Sequence, residues 1–110
     1  MEPDGEKRWF AVRTVFKFGV KSDGTNLYEE RIVGFTAQDA DAAMEKAETE
    51  SDEYVRSSSI GQIHDDVWSY EQDGDDLIDG YELWSQVFES DLSLDDFYAE
   101  RYTKYNYNPE

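Results

Sequence analysis

Residues 8–18, reading Arg-Trp-Phe-Ala-Val-Arg-Thr-Val-Phe-Lys-Phe, leave the chain few options. They contain no Gly, Pro, Asp or Asn, and β-branched and aromatic types dominate, which suits a pleated, largely buried strand. Successive side chains of a strand point to opposite faces. Phe10, Val12, Thr14, Phe16 and Phe18 therefore form one face, and Trp9, Ala11, Arg13, Val15 and Lys17 the other. The first is a core face. The second mixes Trp9 and Val15 with two cations, as a surface half-covered by a partner or a second copy would.

With 110 residues to build around this strand, the chain is expected to form one domain with one modest core over residues 8–105, after a flexible lead-in (1–7) and before a frayed tail (106–110). Hydrophobic residues are sparse at 38%, but aromatics reach 15%, so the core is expected to use few, large side chains. That aromatic share also argues for order, because disordered chains combine high charge with few aromatics.

The stretch Gly19-Val-Lys-Ser-Asp-Gly-Thr-Asn reads as a hairpin turn, with Asp23-Gly24 supplying a dipeptide that accepts positive φ. A second strand is predicted over residues 27–35. Thr36 reads as a helix cap, with Asp39 three residues on. The helix that follows carries Ala40, Ala43, Met44, Ala47, Tyr54 and Val55 on its inner stripe, and it ends near Arg56 at the breaker Ser57-Ser-Ser-Ile-Gly. Residues 67–71 predict a short third strand, Asp73-Gly-Asp-Asp a turn, and residues 81–88 a fourth strand. Ser90 or Ser93 caps a second helix whose inner stripe is Leu94, Phe97, Tyr98, Arg101, Tyr102 and Tyr105.

The order is ββαββα, and the fold class is α+β: two layers, a four-stranded antiparallel sheet with two helices on one face. An offset of 53 residues superposes Tyr28-Glu29 on Tyr81-Glu82, Phe35 on Phe88 and Met44 on Phe97, which allows a duplicated unit. The bare sheet face would display Trp9, Val15 and Trp68, with Trp84, and such an aromatic patch predicts a homodimer through that face.

The run Trp9-Phe-Ala-Val-Arg-Thr-Val-Phe, the segment Tyr28-Glu-Glu-Arg-Ile-Val, the helix Asp41-Ala-Ala-Met-Glu-Lys-Ala and the late Gly80-Tyr-Glu-Leu-Trp-Ser resemble a family of small bacterial proteins, domain of unknown function 4288. The resemblance implies a compact cytoplasmic domain and assigns no activity, catalytic residue or binding residue.

Charge narrows the function further. The net charge is −17, with 27 acids against 10 bases, and no Lys or Arg occurs between Arg56 and Arg101. Nucleic acid and anionic lipid are bound through Lys and Arg that neutralise phosphates, so direct binding to either is not expected. A basic protein is the favoured partner. The alternative is that the acids only keep the protein soluble, as in a homodimeric housekeeping protein from a high-salt cell. Having no cysteine, the chain can form no disulfide or Cys-based zinc site, which fits a reducing cytosol. No secretory pattern opens the sequence and no apolar run is long enough to span a bilayer, so a cytoplasmic location is expected.

Neither an enzyme nor a metal site emerges from the residues. An EF-hand frame starting at Asp75 puts Leu77 at position three and Gln86 at position twelve, where ligands are required. His64 is the one histidine; Asp65 and Asp66 beside it would favour its protonated form. The many carboxylates offer no way to single out an acid–base pair, and no phosphate-cradling glycine loop is present. No cofactor is expected. The expected function is non-catalytic protein binding, in its sharpest form an acidic immunity or inhibitor protein occluding a basic toxin or nuclease. The candidate partner-binding residues are Asp73, Asp75, Asp76, Asp79, Trp84, Asp91, Asp95 and Asp96, and the candidate dimer face is Trp9, Val15 and Trp68.

Overall fold

The computed structural model describes residues 8–56, 61–72, 79–107 and 109. The expected lead-in (1–7), the breaker at 57–60, the turn at 73–76 and parts of the tail lie outside the described residues.

The long apolar run forms β1 (Arg8–Val20), and it is the central strand. β2 (Asn26–Ala37) pairs with it antiparallel along its whole length, from Arg8 opposite Ala37 to Val20 opposite Asn26. The hairpin closes as its residues require. Gly24 takes φ +90°, the Asp23 carboxylate accepts from the Thr25 N–H at 2.9 Å, and the Gly24 N–H donates to the Lys21 carbonyl at 2.9 Å.

The other edge of β1 is taken by two short strands laid end to end. β3 (Gln62–Ile63) pairs with Lys17 and Phe16, and β4 (Trp68–Glu71) pairs with Arg13 back to Phe10. Between them residues 64–67 stand opposite Thr14 and Val15 only, so the third column bulges outward by two residues. The His64 N–H still reaches the Val15 carbonyl at 2.9 Å.

α1 (Ala40–Arg56) crosses the face bearing Phe10, Val12, Thr14 and Phe16. The core is Phe10, Val12, Ala37, Ala43 and Ala47, with Phe35, Met44 and Val67 packed against it. Alanines at Ala43 and Ala47, with Ser51 one turn further, let the helix sit close to the sheet. Ala40, assigned to the inner stripe by spacing, is exposed. The cap is Asp39, whose carboxylate accepts from the Ala42 N–H at 2.9 Å; Thr36, the expected cap, belongs to β2. Arg31 on β2 clasps Glu50 of α1 through two nitrogens, at 3.1 and 3.0 Å.

The α+β class, the four-stranded antiparallel sheet and two helices are all present. Three particulars differ from the sequence reading. Residues 81–88 form no strand, and the fourth strand is instead β3. α2 (Leu94–Tyr98), capped by Ser93 through the Asp96 N–H at 3.2 Å and continued by a π-helical turn over Ala99–Thr103, buries none of its residues. Finally, the Arg101 side chain of that continuation reaches Glu30, which pairs with Val15 and so points away from α1. The offset of 53 lays β2 on residues 79–90, where no strand forms, so the halves do not repeat one structural unit.

Candidate functional site

The face away from α1 carries Trp9, Ala11, Arg13, Val15 and Lys17 of β1. Their partners on β2 are Thr36, Gly34, Ile32, Glu30 and Tyr28; on β4, Tyr70 and Trp68 pair with Ala11 and Arg13. Trp9, Val15 and Trp68 thus share this face. Trp9, Ile32 and Trp68 are 38%, 45% and 49% exposed, and Val15 is half-buried. Ile32 was not singled out from the sequence, although the period of two in β2 puts it there once the register is known.

Residues 79–107 run across part of this face and are tied to it at few points. The Tyr70 hydroxyl donates to Glu82, the Gln72 side-chain amide donates to the Leu83 carbonyl, and the Trp84 ring lies 5.8 Å from Tyr70. Glu30 is shared by two guanidiniums, Arg13 at 3.8 Å and Arg101 at 3.6 Å. Arg13 also lies over Trp68 at 5.5 Å and Arg101 over Phe88 at 5.1 Å, and the Nε of each arginine is buried without a hydrogen-bond partner.

Of the candidate partner-binding residues, Asp91, Asp95 and Asp96 come together at the start of α2, all exposed. Asp95 and Asp96 sit in its first turn, where negative charge also favours the exposed amides. Asp79 stands apart in a turn that Gly80 completes at φ +82°, and Trp84 is half-buried on Tyr70. Asp73, Asp75 and Asp76 lie outside the described residues.

The two bases of this half are both engaged, Arg101 by Glu30 and Lys104 by Glu100 at 3.6 Å, whose charge raises the Lys104 pKa. Among the described residues no cation pairs with Asp79, Glu89, Asp91, Asp95 or Asp96. Beside these acids Leu92, Leu94, Tyr98, Tyr102 and Tyr105 are all exposed. Helical spacing had put four of those five on an inner stripe. A five-residue helix with one π-helical turn has too little length to bury such a stripe.

His64 is exposed. Its Nδ1 accepts from the Asp66 N–H at 3.0 Å, while Asp65 Oδ1 lies 3.8 Å from the same nitrogen. The bond from the Asp66 N–H is the shorter and directional of the two contacts. Among the described residues no group of three or more His, Asp or Glu is placed to hold a metal ion, and no helix is long and apolar enough to cross a membrane.

No curated protein and no solved structure matches this chain. Residues 9–67, from β1 to the residue before β4, match a family model, and by that match the chain belongs to the family described as Domain of unknown function (DUF4288).

Proposed function

We propose that this chain is a non-catalytic binding protein whose acidic, aromatic segment 79–105 docks a basic protein. The observation that carries this reading is the joint exposure of carboxylates that pair with no cation among the described residues (Asp91, Asp95, Asp96) and apolar side chains (Leu92, Leu94, Tyr98) within one short stretch. A solubilising surface needs only the charges; a docking surface needs both, since apolar contact supplies affinity and charge supplies steering and orientation. The sharpest form of the proposal is an immunity or inhibitor protein that covers a basic toxin or nuclease.

The test is affinity capture from lysate of the source organism by wild-type protein and by an Asp91→Asn/Asp95→Asn/Asp96→Asn variant, with elution in rising salt. The expected result is one basic protein held by the wild type, released by moderate salt and lost with the variant. Equal capture by both proteins, or no basic partner at all, overturns the reading.

A second reading is favoured by Trp9, Ile32 and Trp68 together: a housekeeping homodimer joined through the sheet face, with acidity serving solubility. It predicts a dimer in sedimentation at micromolar concentration that Ile32→Asp dissociates. A wild-type monomer would end this reading.

A further inference from the structure

The bulge between β3 and β4 opens the α1 side of the sheet. Where residues 65–67 leave the β1 ladder, a cleft of about 420 Å³ remains between α1 and the third column, within the size range of small-molecule sites. Its floor is apolar, built from Met44, Ala47, Ile63 and Val67. Its rim is anionic: Glu45, Glu48 and Asp52 come from one face of α1, and Asp65 from the bulge. Among the described residues no Lys or Arg pairs with any of the four. Glu45, Glu48 and Asp52 follow one another at three- and four-residue spacing, an arrangement that sets like charges against each other along a helix.

A second observation is independent of these charges. Ser51 continues the close-packed series Ala43 and Ala47, is only 4% exposed, and lines the cleft. Its side chain makes no hydrogen bond among the described residues. A third alanine would pack there equally well. The serine instead offers a hydroxyl oxygen at the cleft wall to whatever enters.

We propose that this cleft binds a primary ammonium carried on an unbranched aliphatic chain. The methylenes lie on the Met44, Ala47, Ile63 and Val67 floor; the ammonium donates to the Glu48 and Asp52 carboxylates and to the Ser51 oxygen, matching its three N–H bonds. The cleft's lining contains His64 but no Phe, Tyr or Trp, so it lacks the aromatic cage by which quaternary ammonium groups are held. The chemistry is common to a free diamine and to a lysine side chain of another protein. The cleft is separate from segment 79–105, so the proposal does not depend on the docking function above.

The experiment is titration of the full chain with 1,5-diaminopentane, followed by backbone amide shifts. Saturable shifts at Met44, Ser51, His64 and Val67 are expected, with no matching shifts from tetramethylammonium or n-pentanol. Glu48→Gln/Asp52→Asn is expected to weaken binding about tenfold or more, and Ser51→Ala several-fold. Asp91→Asn/Asp95→Asn/Asp96→Asn should leave it unchanged while abolishing capture of the basic protein, so the two proposals fail separately. Nα-acetyl-lysine N-methylamide separates the sources: binding it as well as the diamine points to a lysine side chain, and binding the diamine alone points to a free amine. Shifts spread over all the acids without saturation, equal response to tetramethylammonium, or indifference to Glu48→Gln/Asp52→Asn in a folded variant would overturn the assignment.

Discussion

Tyr54 is held by three groups. Its ring meets Phe16 edge-on at 5.3 Å, the Arg31 guanidinium stacks on it at 3.6 Å, and its hydroxyl donates to Glu29 at 2.6 Å. That hydrogen bond to Glu29 is the main reason its pKa is raised above the ordinary 10.0; partial burial and the Glu29 charge add to it, and Arg31 opposes. The neutral phenol is therefore the form the fold prefers. A folded pKa above the unfolded one means that this contribution to stability is complete below about pH 10 and is lost as pH rises through the folded value. Phenolate absorbance should show a late step that disappears in Tyr54→Phe, and in Glu29→Gln that step should move back towards the ordinary range. An unchanged titration in either variant would mean that the bond to Glu29 does not form in solution. Helical spacing alone placed Tyr54 on the inner stripe. Its partners on β2 were not legible, because they depend on how β2 registers with β1 and where α1 crosses.

At the scale of the element, legibility follows how local the cause is. β1, the hairpin and α1 could be read from residues close in sequence: an unbroken β-branched and aromatic run, Asp23-Gly24, and alanines at a four-residue period. The cap of α1 was misplaced by three residues because Thr36 and Asp39 both suit the role, and only the pairing of Thr36 with Trp9 decides between them. Asp39→Ala should accordingly lower stability by about 0.5–2 kcal/mol, whereas Thr36→Ser should change it little, as measured by urea unfolding midpoints with unchanged slopes. If both substitutions cost the same, Asp39 is not the cap. Residues 81–88 misled for a different reason. Tyr-Glu-Leu-Trp alternates like a strand, but alternation records only a wish for two faces. The Leu83 carbonyl, which a ladder would need, already accepts from the Gln72 side chain. β3 went unread because two residues give no period at all; it exists only because β1 offers an open edge at Lys17 and Phe16.

The whole molecule carries 17 more negative than positive charges, and its response to salt tests what that excess does. Two effects compete. Screening weakens ion pairs such as Arg8–Glu71 and Lys104–Glu100, but exposed pairs of this kind are each worth only about 0–1 kcal/mol. Screening also weakens repulsion among the acids that pair with no cation among the described residues, whose close spacing on α1 and around α2 makes the fold bear it more than an extended chain does. The second effect should win, so the thermal midpoint should rise with added sodium chloride. Its shape carries the information. The Debye length falls from about 10 Å at 0.1 M to about 3 Å at 1 M, so relief of repulsion should be nearly complete by a few tenths molar. A rise that levels off there means ordinary repulsion, concentrated where these acids crowd, and leaves those acids available to a cationic partner. A midpoint that keeps climbing into molar salt means a fold adapted to concentrated electrolyte, and favours the homodimer with acidity serving solubility. A midpoint that falls with salt would show that the ion pairs outweigh the repulsion. In that case the Arg13–Glu30–Arg101 and Arg31–Glu50 contacts, the least exposed of them, are where the deficit should be sought.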